Sequence, residues 1–171
     1  MFGLTVFLAA CWPAAASAQA AATSAQEEHV ERSFVLELGG AAEWDARHLS
    51  SGHYGPTVAV ETEPIEGWLE LELGVTPFIS GGRTNVDVDL LFKKPFNLSP
   101  KVELMVGLGP TLSHRFARED RGTSYGLEFA LDFMFWPTKK IGWFVEPSYA
   151  IEFGGDKERS LGVTAGLLIA F

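Results

Sequence analysis

Acidic side chains recur at even-numbered spacings within several runs of this chain. Glu70 and Glu72 sit in GWLELELGVTPF, Asp87 and Asp89 in RTNVDVDLLFK, Glu128 and Asp132 in TSYGLEFALDFMFW, and Glu146 and Glu152 in IGWFVEPSYAIEF. Glu37, Glu43, Glu61 and Glu103 keep the same spacing relative to their apolar neighbours. Side chains two residues apart on a strand point to the same side, so each run lines one face with carboxylates. Acids gathered away from water must be protonated, hydrated, met by a cationic side chain, or bridged by a cation. In a narrow passage such a set can hold a divalent cation or select cations. The favoured expectation is plainer: a hydrogen-bonded polar filling with ordered water, with no metal and no cofactor.

Two other groups of residues could carry chemistry. Arg115, Arg118 and Arg121 fall close together, with Arg47, Arg83, Lys157 and Arg159 in other connectors. Guanidinium forks grip phosphate bidentately, which suits a phosphorylated lipid; the other reading is solvated charge paired with Glu119, Asp120, Asp156 and Glu158. Ser113 and His114 are adjacent, so a strand sends them to opposite faces, and the next position on the His114 side is Phe116. The contact between nucleophile and base that acyl chemistry needs is therefore missing. His48 and His53 lie with Ser50 and Ser51 in a stretch that reads as a loop and make neither a metal nor a catalytic set. No enzymatic activity is expected.

The elements that would position these residues are strands. The chain has 171 residues, 47% hydrophobic and 12% aromatic, with a formal net charge of −9 from 13 Lys+Arg and 22 Asp+Glu. That is one domain with ample apolar material, and its acidity argues against nucleic acid. Residues 1–26 carry no charged side chain, and FGLTVFLAACWPAAASAQA has an apolar core followed by Ala16-Ser17-Ala18 and Ala18-Gln19-Ala20. This reads as a cleaved secretory signal over 1–20, although it lacks the usual basic start. Leu8-Ala9-Ala10-Cys11 is a second, lipid-modified option for its processing. Residues 21–32 then form a flexible segment, and 33–171 the folded part.

From Ser33 onward eight runs alternate apolar with polar or small residues, the period-two pattern of two-faced strands. Turn residues separate them: Glu63-Pro64-Ile65-Glu66-Gly67, Ser80-Gly81-Gly82, Lys93 to Pro100, Trp136-Pro137-Thr138-Lys139-Lys140, and Gly154-Gly155-Asp156-Lys157. Short connectors make neighbours antiparallel, and closure removes the edges. The predicted fold is all-β, an eight-stranded antiparallel up-and-down transmembrane β-barrel. A soluble lipocalin-like barrel with an apolar cavity has the same period, so the contents of the faces decide. The polar face holds Gly, Ala, Ser, Thr and acids rather than Lys, as a crowded lumen does, and the apolar face is long and almost free of charge. Trp44, Tyr54, Trp68, Phe78, Phe92, Phe96, Trp136, Trp143 and Phe153 gather toward run ends and are read as interfacial girdles. The only lumen-facing bases are expected at the rims: Arg83 and Arg115 at one end, Lys93 and Lys101 at the other.

The closing TAGLLIAF places a polar residue, a glycine, and two apolar or aromatic residues at alternating positions: Thr164, Gly166, Ile169 and Phe171. It resembles the C-terminal assembly signal of bacterial outer-membrane β-barrels, and 33–171 is similar to the small eight-stranded barrels of the OmpA or OmpX type. That resemblance implies an integral outer-membrane protein with both termini periplasmic, inserted by the barrel-assembly machinery. The chain is expected to be a monomer in contact with outer-membrane lipids, with Arg115, Arg118 and Arg121 as the candidate contacts to lipopolysaccharide. The outer connectors would be 46–53, 80–83, 115–122 and 154–159, short for a member that binds host surfaces. The implied role is envelope-structural or lipid-contacting, with a narrow cation-permeable, porin-like path as the alternative and lipid A modification as the third. Replacing Phe171 with Asp is expected to lower the yield of assembled barrel, measured by heat-shifted electrophoresis of the membrane fraction. Undiminished yield would remove this residue from the signal.

Overall fold

The computed structural model describes residues 34–80, 83–116, 122–153 and 159–171. The expected leader, the 21–32 segment, Arg118 and Arg121 lie outside the described residues. The strands are β1 (Val35–Asp45), β2 (His48–Ile65), β3 (Leu69–Ser80), β4 (Arg83–Ser99), β5 (Val102–Phe116), β6 (Gly122–Phe135), β7 (Ile141–Phe153) and β8 (Arg159–Ala170). Each pairs antiparallel with the next, and β8 returns to β1 to close the barrel. Even the shortest, β1, has 11 residues, enough for a tilted strand to cross a bilayer.

The alternation seen in the sequence sets the two faces, and the contents are inverted relative to a soluble barrel. Leu167 on the outside is 56% exposed, whereas Asp132 on the inside is 0% exposed. Leu73, Val75, Leu108, Phe129 and Val163 join the exposed outer belt, while Glu37, Glu61, Glu72 and Glu146 are buried in the lumen. An apolar cavity of the lipocalin kind is thereby excluded. Among the described residues no helix is long and apolar enough to cross a membrane.

Aromatic residues flank the belt at both ends. Near the end carrying the described termini, Phe135 stacks on Trp143 with centroids 4.0 Å apart, and Lys94 Nζ lies 6.0 Å from the Trp68 and Phe96 rings. At the far end Trp44 meets Tyr54 edge-on at 6.2 Å. Two of the aromatics expected in the girdles are not there. Phe78 and Trp136 fall on the lumen parity of their strands and are 7% and 4% exposed; they fill the barrel instead of facing lipid.

Two connectors are also shorter than expected. Only Ala46 and Arg47 separate β1 from β2, because the Asp45 carboxylate accepts the Arg47 N–H at 2.6 Å and closes the turn locally. His48 to His53 therefore belong to a strand and not to a loop. The Lys93-Lys94-Pro95 stretch likewise continues β4 to Ser99. β3 pairs with β4 only as far as Lys93, so Pro95 interrupts no ladder on that side.

Closure is made along an unbroken register from Val35 opposite Ala170 to Asp45 opposite Ser160. The Phe171 N–H donates to the Phe34 carbonyl at 3.0 Å while its ring stays 73% exposed. Midway along this seam Gly39 faces Gly166. A Cβ on Gly166 would stand 2.3 Å from the Leu38 carbonyl oxygen, so the two strands approach closely only because glycine is there. Gly166→Val is expected to abolish most of the heat-shifted, folded band on gels. Ala165→Val, one residue away on the lipid side, should leave it intact.

Candidate functional site: an acidic lumen around one buried lysine

An eight-stranded barrel has an interior just wide enough for side chains, and three layers fill this one. At the terminus end Val35, Met105, Met134, Trp136, Phe144, Leu168 and Ala170 form a packed apolar cluster. Above it lies a charged layer centred on Lys93. Beyond that an acidic cavity extends toward the far end.

Lys93 is the one buried base among the described residues and is 1% exposed. Its ammonium lies 2.8 Å from Glu146 Oε2, 3.0 Å from Asp132 Oδ2 and 3.9 Å from Glu61 Oε1, and it also contacts Glu72 Oε2. The neighbours across two strands make room for its stem: Gly107 is opposite Lys93 and Ala130 is opposite Gly107. A Cβ on Gly107 would press within 3.1 Å of Lys93 Cγ. The expectation that Lys93 sits at the rim is therefore wrong. Because β4 runs on past Lys94 and Pro95, the alternation carries Lys93 to the middle of the lumen. Lys101, by contrast, is exposed in the β4–β5 turn.

The carboxylates that were singled out all face inward. Glu37, Glu61, Glu70, Glu72, Glu103, Asp132 and Glu146 are buried; Asp87, Asp89, Glu128 and Glu152 are half-buried toward the far end. Glu37, Glu61, Glu72 and Asp132 each offer one oxygen within 4.8 Å of the others', a spacing on the scale of a coordinated ion. Lys93 already touches Glu61, Glu72 and Asp132, and so serves as the counter-charge of that group.

The cavity beyond has a volume of about 70 Å³ and is lined by Glu37, Glu43, Glu72, Asp87, Asp89, Glu128, Glu146 and Glu152 together with Thr57, Thr76 and Ser148. Among the described residues no Lys, Arg or His lines it. Thr57 and Thr76 share a hydroxyl hydrogen bond at 2.7 Å, and Ser113 Oγ donates to Asp87 Oδ1 at 2.5 Å. Ser113 is thus committed to an acid in the lumen. His114 Nδ1 pairs with Thr123 Oγ1 at 2.8 Å and its ring meets Phe116 edge-on. The pair has no nucleophile–base contact. Arg115 follows the lumen parity of β5, and Arg47 and Arg159 are exposed at the far end.

Sequence reasoning missed the apolar layer. Met105, Met134, Phe144 and Leu168 share strand parity with the acids, and following that parity to the strand ends would have found them.

No protein-family model and no curated protein matches the chain. Solved structures do. Neisserial surface protein A is 15% identical, with a TM-score of 0.62 over 81% of this chain and 97% of that one. OprG of Pseudomonas aeruginosa is 13% identical, with a TM-score of 0.60 over 81% and 95%. The N-terminal β-barrel domain of OprF from the same organism is 12% identical, with a TM-score of 0.55 over 80% and 97%. The fold is that of the small eight-stranded outer-membrane barrels.

Removing one partner of a buried ion cluster leaves the rest uncompensated, at roughly 3–5 kcal/mol. Lys93→Met is therefore expected to destabilise the barrel by about that much in urea unfolding from detergent. Lys94→Met, next to it on the outer face, should change stability by less than about 1 kcal/mol.

Proposed function

We propose that the chain is an integral protein of the bacterial outer membrane, with both termini periplasmic, whose role lies in the envelope itself as a rigid, lipid-contacting barrel. One observation carries this reading. The outer surface is a continuous apolar belt bounded by aromatics, while the lumen is blocked by the Lys93 ion cluster and, below it, by the apolar layer of Met105, Met134, Trp136 and Phe144. A body closed inside and apolar outside works through its surface. Neither Ser113 with His114 nor any residue of the apolar layer supports an enzymatic reading.

The exposed Arg47 and Arg159, with Arg118 and Arg121 beyond the described residues, suit bidentate contact with lipopolysaccharide phosphates at the far rim. Arg115 stands on the lumen parity and contributes less to that surface. The pairing of β8 with β1 supports a role for Thr164, Gly166, Ile169 and Phe171 in recognition by the barrel-assembly machinery, since that strand completes closure.

Deletion of the gene is expected to raise sensitivity to detergents and large antibiotics without changing the mass of lipid A, and the purified barrel to give no current steps in planar bilayers. Cation-selective steps that vanish in Glu128→Gln and Asp132→Asn would replace this reading with a channel. An altered lipid A mass would replace it with an enzyme.

A further inference from the structure

Glu37 differs from the other acids of the charged layer. It is 2% exposed, Lys93 forms no ion pair with it, and its Oε1 has no hydrogen-bond partner among the described residues. It lines the acidic cavity together with Glu72 and Glu146, each of which contacts Lys93 through Oε2. Asp89 and Glu128 stand on the walls above. A buried carboxylate oxygen without a partner is unfavourable by more than an ordinary hydrogen bond recovers, and the Glu37 side chain that carries it lines a space of about 70 Å³, room for an ion and a few waters.

We propose that the base of this cavity is a binding site for a single divalent cation, held by Glu37 with Glu72, Glu146 and the wall acids Asp89 and Glu128. The chemistry matches a hard cation. Among the described residues every charged group of the lining is a carboxylate, the neutral side-chain donors are the hydroxyls of Thr57, Thr76, Thr111, Ser148, Ser160 and Thr164, and no nitrogen or sulfur side chain lines it. Calcium and magnesium take such oxygen sets and keep waters where the protein leaves positions open. Lys93 supplies one positive charge to the underside of the layer, and the cation supplies the charge that Lys93 does not deliver on the cavity side. The half-buried acids toward the far end, Asp87 and Glu152 among them, give the ion an approach lined with negative potential.

The test is calcium binding to the full chain, refolded in zwitterionic detergent free of lipopolysaccharide, by equilibrium dialysis and calorimetry against a sodium background of equal ionic strength. One saturable ion per chain is expected, weakened tenfold or more in Glu37→Gln and unchanged in Glu66→Gln, which alters an exposed turn acid. Should Glu37→Gln fail to fold, Glu128→Gln on the cavity wall is the substitute, with the same weakening expected. Absence of saturable uptake by the unmodified chain overturns the site, as does binding equal to that of the unmodified chain in the folded Glu37→Gln or Glu128→Gln variant. The first result would mean that protons and water balance the cavity acids.

Discussion

The rest of the barrel is organised around one ammonium group in the middle of a membrane-length lumen. Eight strands enclose too little space for bulk water, so polar atoms that point inward must be satisfied by one another. Lys93 meets Glu61, Glu72, Asp132 and Glu146 from four different strands. The lysine stem crosses the lumen only because Gly107 and Ala130 are its neighbours on the next two strands. Removing solvent from these charges is expensive and is repaid only by tight mutual geometry, which ties the positions of β2, β3, β6 and β7 to a single point on β4.

That tie also fixes register. A slip of one residue between strands would turn acids to lipid and is excluded by the faces alone. A slip of two residues keeps every face correct, so hydrophobic patterning does not forbid it. It would, however, carry Lys93 about 7 Å along the lumen, out of reach of Asp132 and Glu146. The Gly39–Gly166 contact does the same at the seam: β1 and β8 approach closely where two glycines coincide, and a two-residue slip would bring Ala41 or Glu37 against Gly166 instead.

Most of the architecture was legible because its determinants are local. Period-two alternation fixed strand number, the two faces and the inward direction of the strand carboxylates from Glu37 to Glu152, and the sparse lysine content of the polar face distinguished a membrane barrel from a soluble one. What was misread depends on contacts distant in sequence. Lys93-Lys94-Pro95 has the composition of a turn, and it is a strand because β5 pairs along it as far as Asn97 and Ser99 while β3 has already ended. Residues 46–53 look like a polar loop, yet the Asp45 side chain closes the turn after two residues. Phe78 and Trp136 were assigned by type to the lipid interface, where aromatics are common, but the parity of their strands outranks residue type.

The layering also explains why the charge is uneven along the lumen. At the terminus end the inward face changes from acids to Met105, Met134, Phe144 and Leu168 without any change of strand parity, so the barrel ends in a small hydrophobic core that excludes water from below. With that side packed, Glu37, Glu72 and Glu146 of the charged layer line the cavity above it. Lys93 takes the central position and its four contacts, and Glu37, which is not among them, lines the cavity with one oxygen left without a hydrogen-bond partner among the described residues. An apolar floor, one fixed cation and a surplus of acids above it thus follow from a single arrangement of strand parity.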